Sequence, residues 1–409
     1  MEMRAITTES LAIEGGSATW DQNFTPWPNY SSVEIQAVNE VLKSGQVNYW
    51  TGTQGQEFEE EFAWACGVQH GVALTNGTVA LELALRCLSI GRGDEVIVTP
   101  RSFFASASAI VLQGSKAVFA DVDPDSQNIT AETIAPLITP HTKAIMAVHL
   151  AGMPCEMDAI LDLAGARGLF VIEDCAQAHG ALYKGRPVGS LGHAAAFSFC
   201  QDKIMSTGGE GGMLVTNDDS TWGRAWSFKD HGKIRERSLE KNNGSGFRWL
   251  HGEFGTNLRM TEMQAAIGRL QLKKLPEWHG QRGRNAAVLS EGLEGISSLR
   301  VPRVAGHVEP GWYKYYAFVR PEALKEGWNR DRIREAVCAE GVPCFSGSCS
   351  EIYREDAFRQ VGVTPDFRLP VAHALGQTSL MFMVHPTLSE DELGATVAAV
   401  GKVLAEATR

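Results

Sequence analysis

LFVIEDCAQAHGALYKGRPVGSLGHAAAFSFCQDKIMSTGGEGGMLVTN, residues 169–217, decides how this chain is read. It opens with an apolar run, 169–172, of the kind that forms a strand buried on both faces. Two acids, Glu173 and Asp174, close that run. A turn-rich passage leads to a second apolar strand, 194–199, and Lys203 follows it closely. Gly208, Gly209, Gly211 and Gly212 then lead into a short third strand, 213–216. An acid and a lysine therefore each fall just past the carboxyl end of a strand expected to be parallel. In open α/β sheets that edge is where ligands bind.

An acid and a lysine so placed suit pyridoxal phosphate (PLP) chemistry. That chemistry needs a lysine amine to form a Schiff base, and a carboxylate beside the pyridine nitrogen to keep the ring protonated as an electron sink. Spacing alone does not select it, because solvated lysines and strand-end acids that cap turns are commoner. The wording around the pair is more selective. EDCAQAHGA, GSLGHAAAFSF, the lysine and TGGEGGMLVTND, in that order, closely resemble the signature of the DegT/DnrJ/EryC1/StrS family.

The resemblance implies a fold-type I aminotransferase, an α/β protein. A large domain with a mostly parallel sheet flanked by helices is joined there to a smaller C-terminal α/β domain. It implies that Lys203 carries pyridoxal 5′-phosphate as a Schiff base, with pyridoxamine phosphate as the intermediate form, and that Lys203 shuttles the reacting proton. Asp174 would pair with the pyridinium nitrogen, Gln177 with the ring's phenolic oxygen, and Ser198 with the phosphate. Lys203 is not replaced by histidine, which disfavours the family's dehydratase branch.

The resemblance extends outward. Upstream, GVALTNGTVALELALRCL (71–88) is a short strand that turns at Asn76 into a helix. Free N–H groups and the positive dipole end at a helix start hold phosphate, so Gly77 and Thr78 are candidate phosphate ligands; an ordinary N-cap turn is the plain alternative. A strand over 94–100 precedes RSFFASASAI, a position that resembles the family segment whose aromatic residue stacks on the pyridine ring; Phe103 is the candidate and Phe104 the alternative, with Phe104 reading better as core. His149, in the HLAGMPCEMDAI element, reads as structural. Strands alternating with helices over this half indicate a mostly parallel, doubly wound sheet. A helix is expected over 33–43, ended by Gly45, and residues 1–30 are expected to be a loose arm.

Downstream, 231–250 reads as a polar loop, and HGEFGTNLRMTEMQAAIGRLQLKKL (251–275) matches a further family element. There Asn257 corresponds to a residue that reaches the cofactor phosphate of a partner subunit, which implies a homodimer with shared active sites. A helix is expected over 260–275, with Pro276 just past it and its course continuing toward the second domain, and another over 281–293. The division expected is an arm over 1–30, a PLP-binding domain over 31–277 and a small domain over 278–409. In that last part the family's substrate-side patterns are replaced by GVPCFSGSCSEIY and SLMFMVHPTL. The resemblance thus covers the cofactor half and leaves the acceptor open. A nucleotide-linked 3- or 4-keto-deoxysugar aminated from glutamate, for polysaccharide or secondary-metabolite biosynthesis, is the leading expectation. A cyclitol ketone, an aminobenzoate precursor, or a non-catalytic PLP-binding regulatory dimer are the alternatives.

Composition fits. At 409 residues two domains are the natural expectation, and a net charge of −11 disfavours nucleic acid or an anionic membrane as partner. Eight scattered cysteines without a CxxC pair suggest a reduced cytoplasm. No apolar run approaches a membrane span, and His179 and His193 with Cys175 and Cys200 match no zinc spacing, so no metal is expected.

Overall fold

The structure, a computed structural model, describes residues 10–240 and 248–409. The chain's first nine residues, and the stretch 241–247 of the expected polar loop, lie outside the described residues. Strands β1 (His70–Leu74), β2 (Glu95–Val98), β3 (Lys116–Phe119), β4 (Thr142–Val148), β5 (Phe170–Asp174), β6 (Ala194–Ser198) and β7 (Gly212–Thr216) form one sheet in the order β1-β7-β6-β5-β4-β2-β3. From β6 to β3 all neighbours are parallel, whereas β7 runs against both β6 and β1.

Side-chain alternation explains why these strands stand in the middle of the molecule. Val72, Leu74, Ala194, Ala196 and Leu214 feed one buried cluster, which also takes Leu81, Leu85 and Ile110. Their neighbours Ala73, Ala195, Phe197, Met213 and Val215 feed a second cluster with Phe58 and Phe62. Both faces are therefore covered, as a sheet with parallel crossovers requires. The covering helices include α1 (Ser32–Ser44), α2 (Gln54–Cys66), α3 (Gly77–Cys87), α4 (Ala105–Leu112), α5 (Met157–Arg167) and α6 (Asp219–Lys229). The first begins in a capping box between Ser31 and Glu34 and ends at Gly45, as its sequence leads one to expect.

Four expectations need correction. The helix expected to stop before Pro276 does not: α7 (Glu262–Leu293) runs for 32 residues straight through it and absorbs the next expected helix. An interior proline removes one hydrogen bond and costs about 3 kcal/mol. Packing at both ends outweighs this, with Ala265 in one core and Ala286, Leu289 and Leu293 in another. The expected division at 277/278 consequently falls inside a continuous helix. Residues 10–30 are not a loose arm, because Leu11 is buried and Glu340 accepts hydrogen bonds from the Ala12 and Thr19 N–H groups at 2.8 and 2.9 Å. Finally, the expected polar loop contains a short helix, Arg235–Leu239.

The second core is built on the antiparallel strands β8 (Leu299–Arg300), β9 (Tyr315–Val319) and β10 (Ser379–Phe382). Helices α8 (Arg330–Ala339) and α9 (Glu390–Ala407) pack on it, burying Ile333, Val337, Val400 and Leu404.

Candidate active site

The carboxyl ends of β1, β2, β5 and β6 open into one cavity of about 1090 Å³. Gly77 and Thr78, Phe103, Asp174 and Gln177, and Ser198 and Lys203 all line it. Among the candidates only Asn257 lies elsewhere. It is exposed, bridged to Asp230, and its side chain accepts from the Arg259 N–H at 3.3 Å.

Asp174 is the last residue of β5 and is almost fully buried. Its Oδ2 accepts from the Ser106 hydroxyl at 2.7 Å and its Oδ1 from the Ala176 N–H at 3.1 Å. Burial pushes its carboxyl above the ordinary aspartate range, while these donors and the Lys203 charge pull back. Ser106 is in turn 2.9 Å from Ser102, so a two-serine relay off the start of α4 steadies the acid. Sequence reasoning passed over this relay. Its one local signal is a pair of serines four apart at a helix start, on one face.

One strand position earlier, Glu173 points to the opposite side. It meets His149 at 3.0 Å and accepts N–H bonds from Gly189, Leu191 and Gly192. Cys175 completes a trio close enough to hold a metal. The donor atoms are already engaged, however, since the second nitrogen of His149 accepts from the Cys155 N–H at 3.0 Å. Burial works to raise Glu173, yet the His149 and backbone donors hold it below its usual value. This pair is fully buried and lines no part of the cavity.

Gln177 is oriented by chemistry. Its Oε1 accepts from the Ala151 N–H at 2.8 Å, so its amide NH₂ is the group left to donate. The start of α3 is held against β6 at close range. A Cβ on Gly77 would sit 2.6 Å from the Cβ of Ser198. Asn76 caps the helix by accepting from the Val79 N–H at 3.0 Å, leaving the first N–H groups, those of Gly77 and Thr78, at the cavity. Phe103 is 66% exposed and offers an open face. Phe104, expected in the core, is also exposed and lines the cavity, because only one side of its ring is covered, by Phe358 at 5.1 Å.

Lys203 is partly buried, with its Nζ 4.8 Å from the centre of the Tyr313 ring. Its backbone carbonyl accepts from the Trp27 indole N–H at 2.8 Å. The Tyr313 hydroxyl donates to Asp202, and burial together with that carboxylate raises the phenol. Tyr313 reaches the cavity because the 311–313 backbone docks on the turn after β4. The Gly311 N–H donates to the Gly152 carbonyl at 2.8 Å, and the Tyr313 N–H to the Ala151 carbonyl at 2.9 Å. Gly152 has φ +90°, and a Cβ there would stand 2.7 Å from the Trp312 nitrogen, so only glycine permits this dock.

This set can hold a phosphorylated aromatic aldehyde. Donors at a helix start would take the phosphate, a buried acid faces a ring nitrogen, an amide donor faces a ring oxygen, and a lysine amine stands within the same cavity.

Comparison with known proteins agrees. The family model described as the DegT/DnrJ/EryC1/StrS aminotransferase family matches residues 28–401. The chain is 34% identical to dTDP-3-amino-3,4,6-trideoxy-alpha-D-glucose transaminase of Streptomyces venezuelae, over 89% of this chain and 90% of that one. It is 36% identical to GDP-perosamine synthase of Caulobacter vibrioides, over 87% and 92%. A solved aminotransferase structure from Psychrobacter cryohalolentis superposes with a TM-score of 0.91 at 52% identity, covering 93% of this chain and 99% of that one.

Proposed function

The chain belongs to the DegT/DnrJ/EryC1/StrS aminotransferase family, and from that premise we propose that it moves an amino group from glutamate to a nucleotide-linked 3- or 4-keto-deoxysugar. The product would serve amino-sugar biosynthesis. The observation that carries this reading is the convergence of Asp174, Gln177, Ser198 and Lys203 with the start of α3 on one cavity.

Bound PLP supplies an electron sink for the electrons left on the substrate carbon. The protein's own residues do the rest. Lys203 would hold the cofactor through its amine and, once released from it, would take and return the proton at the substrate carbon. Asp174, whose charged form Ser106 and the Ala176 N–H favour against burial, would hold the proton on the ring nitrogen. The Gln177 amide would donate to the ring's phenolic oxygen, Phe103 would stack on the ring, and Gly77, Thr78 and Ser198 would bind the phosphate. Asn257, exposed and not among the residues that line its own cavity, would serve the phosphate of a partner subunit, so the working unit would be a homodimer with shared sites. The eight unpaired cysteines fit a reduced cytoplasm, and no described helix is long and apolar enough to cross a membrane.

The absorbance spectrum of the purified protein tests this. A visible cofactor band that glutamate converts to the amino form is expected, followed by its return on adding a keto-sugar nucleotide. Lys203→Ala should lack the visible band. No band after reconstitution with PLP would refute the assignment.

A further inference from the structure

We propose that Lys314 anchors an anionic group of the substrate, a second cationic post opposite Lys203. The inference rests on the aminotransferase reading only for the identity of that substrate. Lys314 and Lys203 stand beside the same ring, their Nζ atoms 4.9 and 4.8 Å from the centre of Tyr313. Both line the cavity. Lys314 is partly buried, and among the described residues no carboxylate lies within ion-pair distance of it. The acid that acts on it electrostatically, Asp202, is engaged by the Tyr313 hydroxyl.

Lysines are rarely buried without a partner, because removing an ammonium from water is costly. Here burial holds Lys314 below its ordinary value, and buried Arg282 behind it adds to the positive field. Nor is the side chain there by flexibility. The backbone just before it is pinned to the Ala151–Gly152 turn, and β9 begins directly after it. An anion entering the cavity would satisfy the amine and neutralise the excess charge. The cofactor phosphate has its own provision at the start of α3. What remains is an oxyanion of the substrates: the carboxylate of the amino donor, or the diphosphate of the acceptor.

The test titrates the PLP-loaded enzyme by calorimetry with two unreactive probes, glutarate and inorganic pyrophosphate. Wild type, Lys314→Met and Lys314→Arg are compared. A charge-assisted hydrogen bond predicts that Lys314→Met weakens one probe roughly 10- to 100-fold, and that Lys314→Arg recovers most of the loss. Loss for glutarate alone assigns the donor carboxylate; loss for pyrophosphate alone assigns the acceptor diphosphate. Unchanged affinity for both probes overturns the proposal, as does failure of the wild type to bind either. Loss of PLP itself from Lys314→Met, seen in the cofactor absorbance, also overturns it. If the anion loss is present while the wild type lacks both half-reactions, the anchor stands and the aminotransferase reading falls.

Discussion

At the scale of single residues, the proposed chemistry turns on the charge of Asp174. Burial favours its neutral form, and the Ser106 hydroxyl is one of few groups opposing this. Ser106→Ala should therefore move the acid limb of the transamination rate to higher pH, measured as kcat/KM across pH. The stability signature follows from the sign of the shift. A carboxyl raised by folding binds its proton more tightly in the native state than in the unfolded one. That contribution is full below the unfolded value and is lost as pH rises through the folded value. The deficit of Ser106→Ala should accordingly be small in acid and grow toward neutral pH, to about 1–3 kcal/mol by denaturant melts. Lys203→Ala should cost on the order of 10²–10⁴-fold in rate beyond its loss of the cofactor band. That Asp174 and Lys203 reach the cavity was legible because each follows a strand end and the family wording around them singled them out, both of which are local patterns. Ser106, Trp27 and Tyr313 were not, since each reaches its partner across 68, 176 and 111 residues of chain.

At the scale of elements, α7 is the instructive case. Its capping box at Thr261 and Gln264 was readable, and so was its periodicity. Its passage through Pro276 was not, because the packing that carries it comes from two separate cores. Pro276→Ala should restore a backbone hydrogen bond. Helix propensity favours the change by up to about 3 kcal/mol, and the unfolded chain's extra freedom opposes it by about 0.4–1 kcal/mol. A net gain of roughly 1–2 kcal/mol is expected, seen as a higher Tm. Beneath β1, by contrast, Lys229 is fully buried and 2.7 Å from Glu59, which also accepts from the Tyr49 hydroxyl and the Ala73 N–H. Glu59→Gln would strand that ammonium between α2 and α6. A loss of about 3–5 kcal/mol is expected by urea unfolding, with the cofactor spectrum of the folded fraction unchanged.

At the scale of the whole molecule, the proposed shared site makes an arithmetic prediction. Lys203→Ala and Asn257→Ala chains, each inactive alone, would regain activity when refolded together. Half of the dimers would be hybrids with one intact site in two, so about a quarter of all sites should work. A mixture that stays inactive would mean that Asn257 acts within its own subunit, and an Asn257→Ala chain that is active alone would mean that it takes no part. The doubly wound sheet was readable from its alternating strands and helices. The docking of 10–30 was not, because a segment with few apolar residues gives no sign of the distant surface that takes it. That docking orders events in time. Ala12 and its partner Glu340 are 328 residues apart. During synthesis the large sheet can assemble from strands as they emerge, but the second core must wait for α9, holding its place for Leu11 meanwhile. Trp27, which lies between Leu11 and the large sheet in sequence, grips the Lys203 carbonyl. A nascent chain would thus have Lys203 early but clasp it late, and its cavity would stay unfinished until the far end of the fold exists.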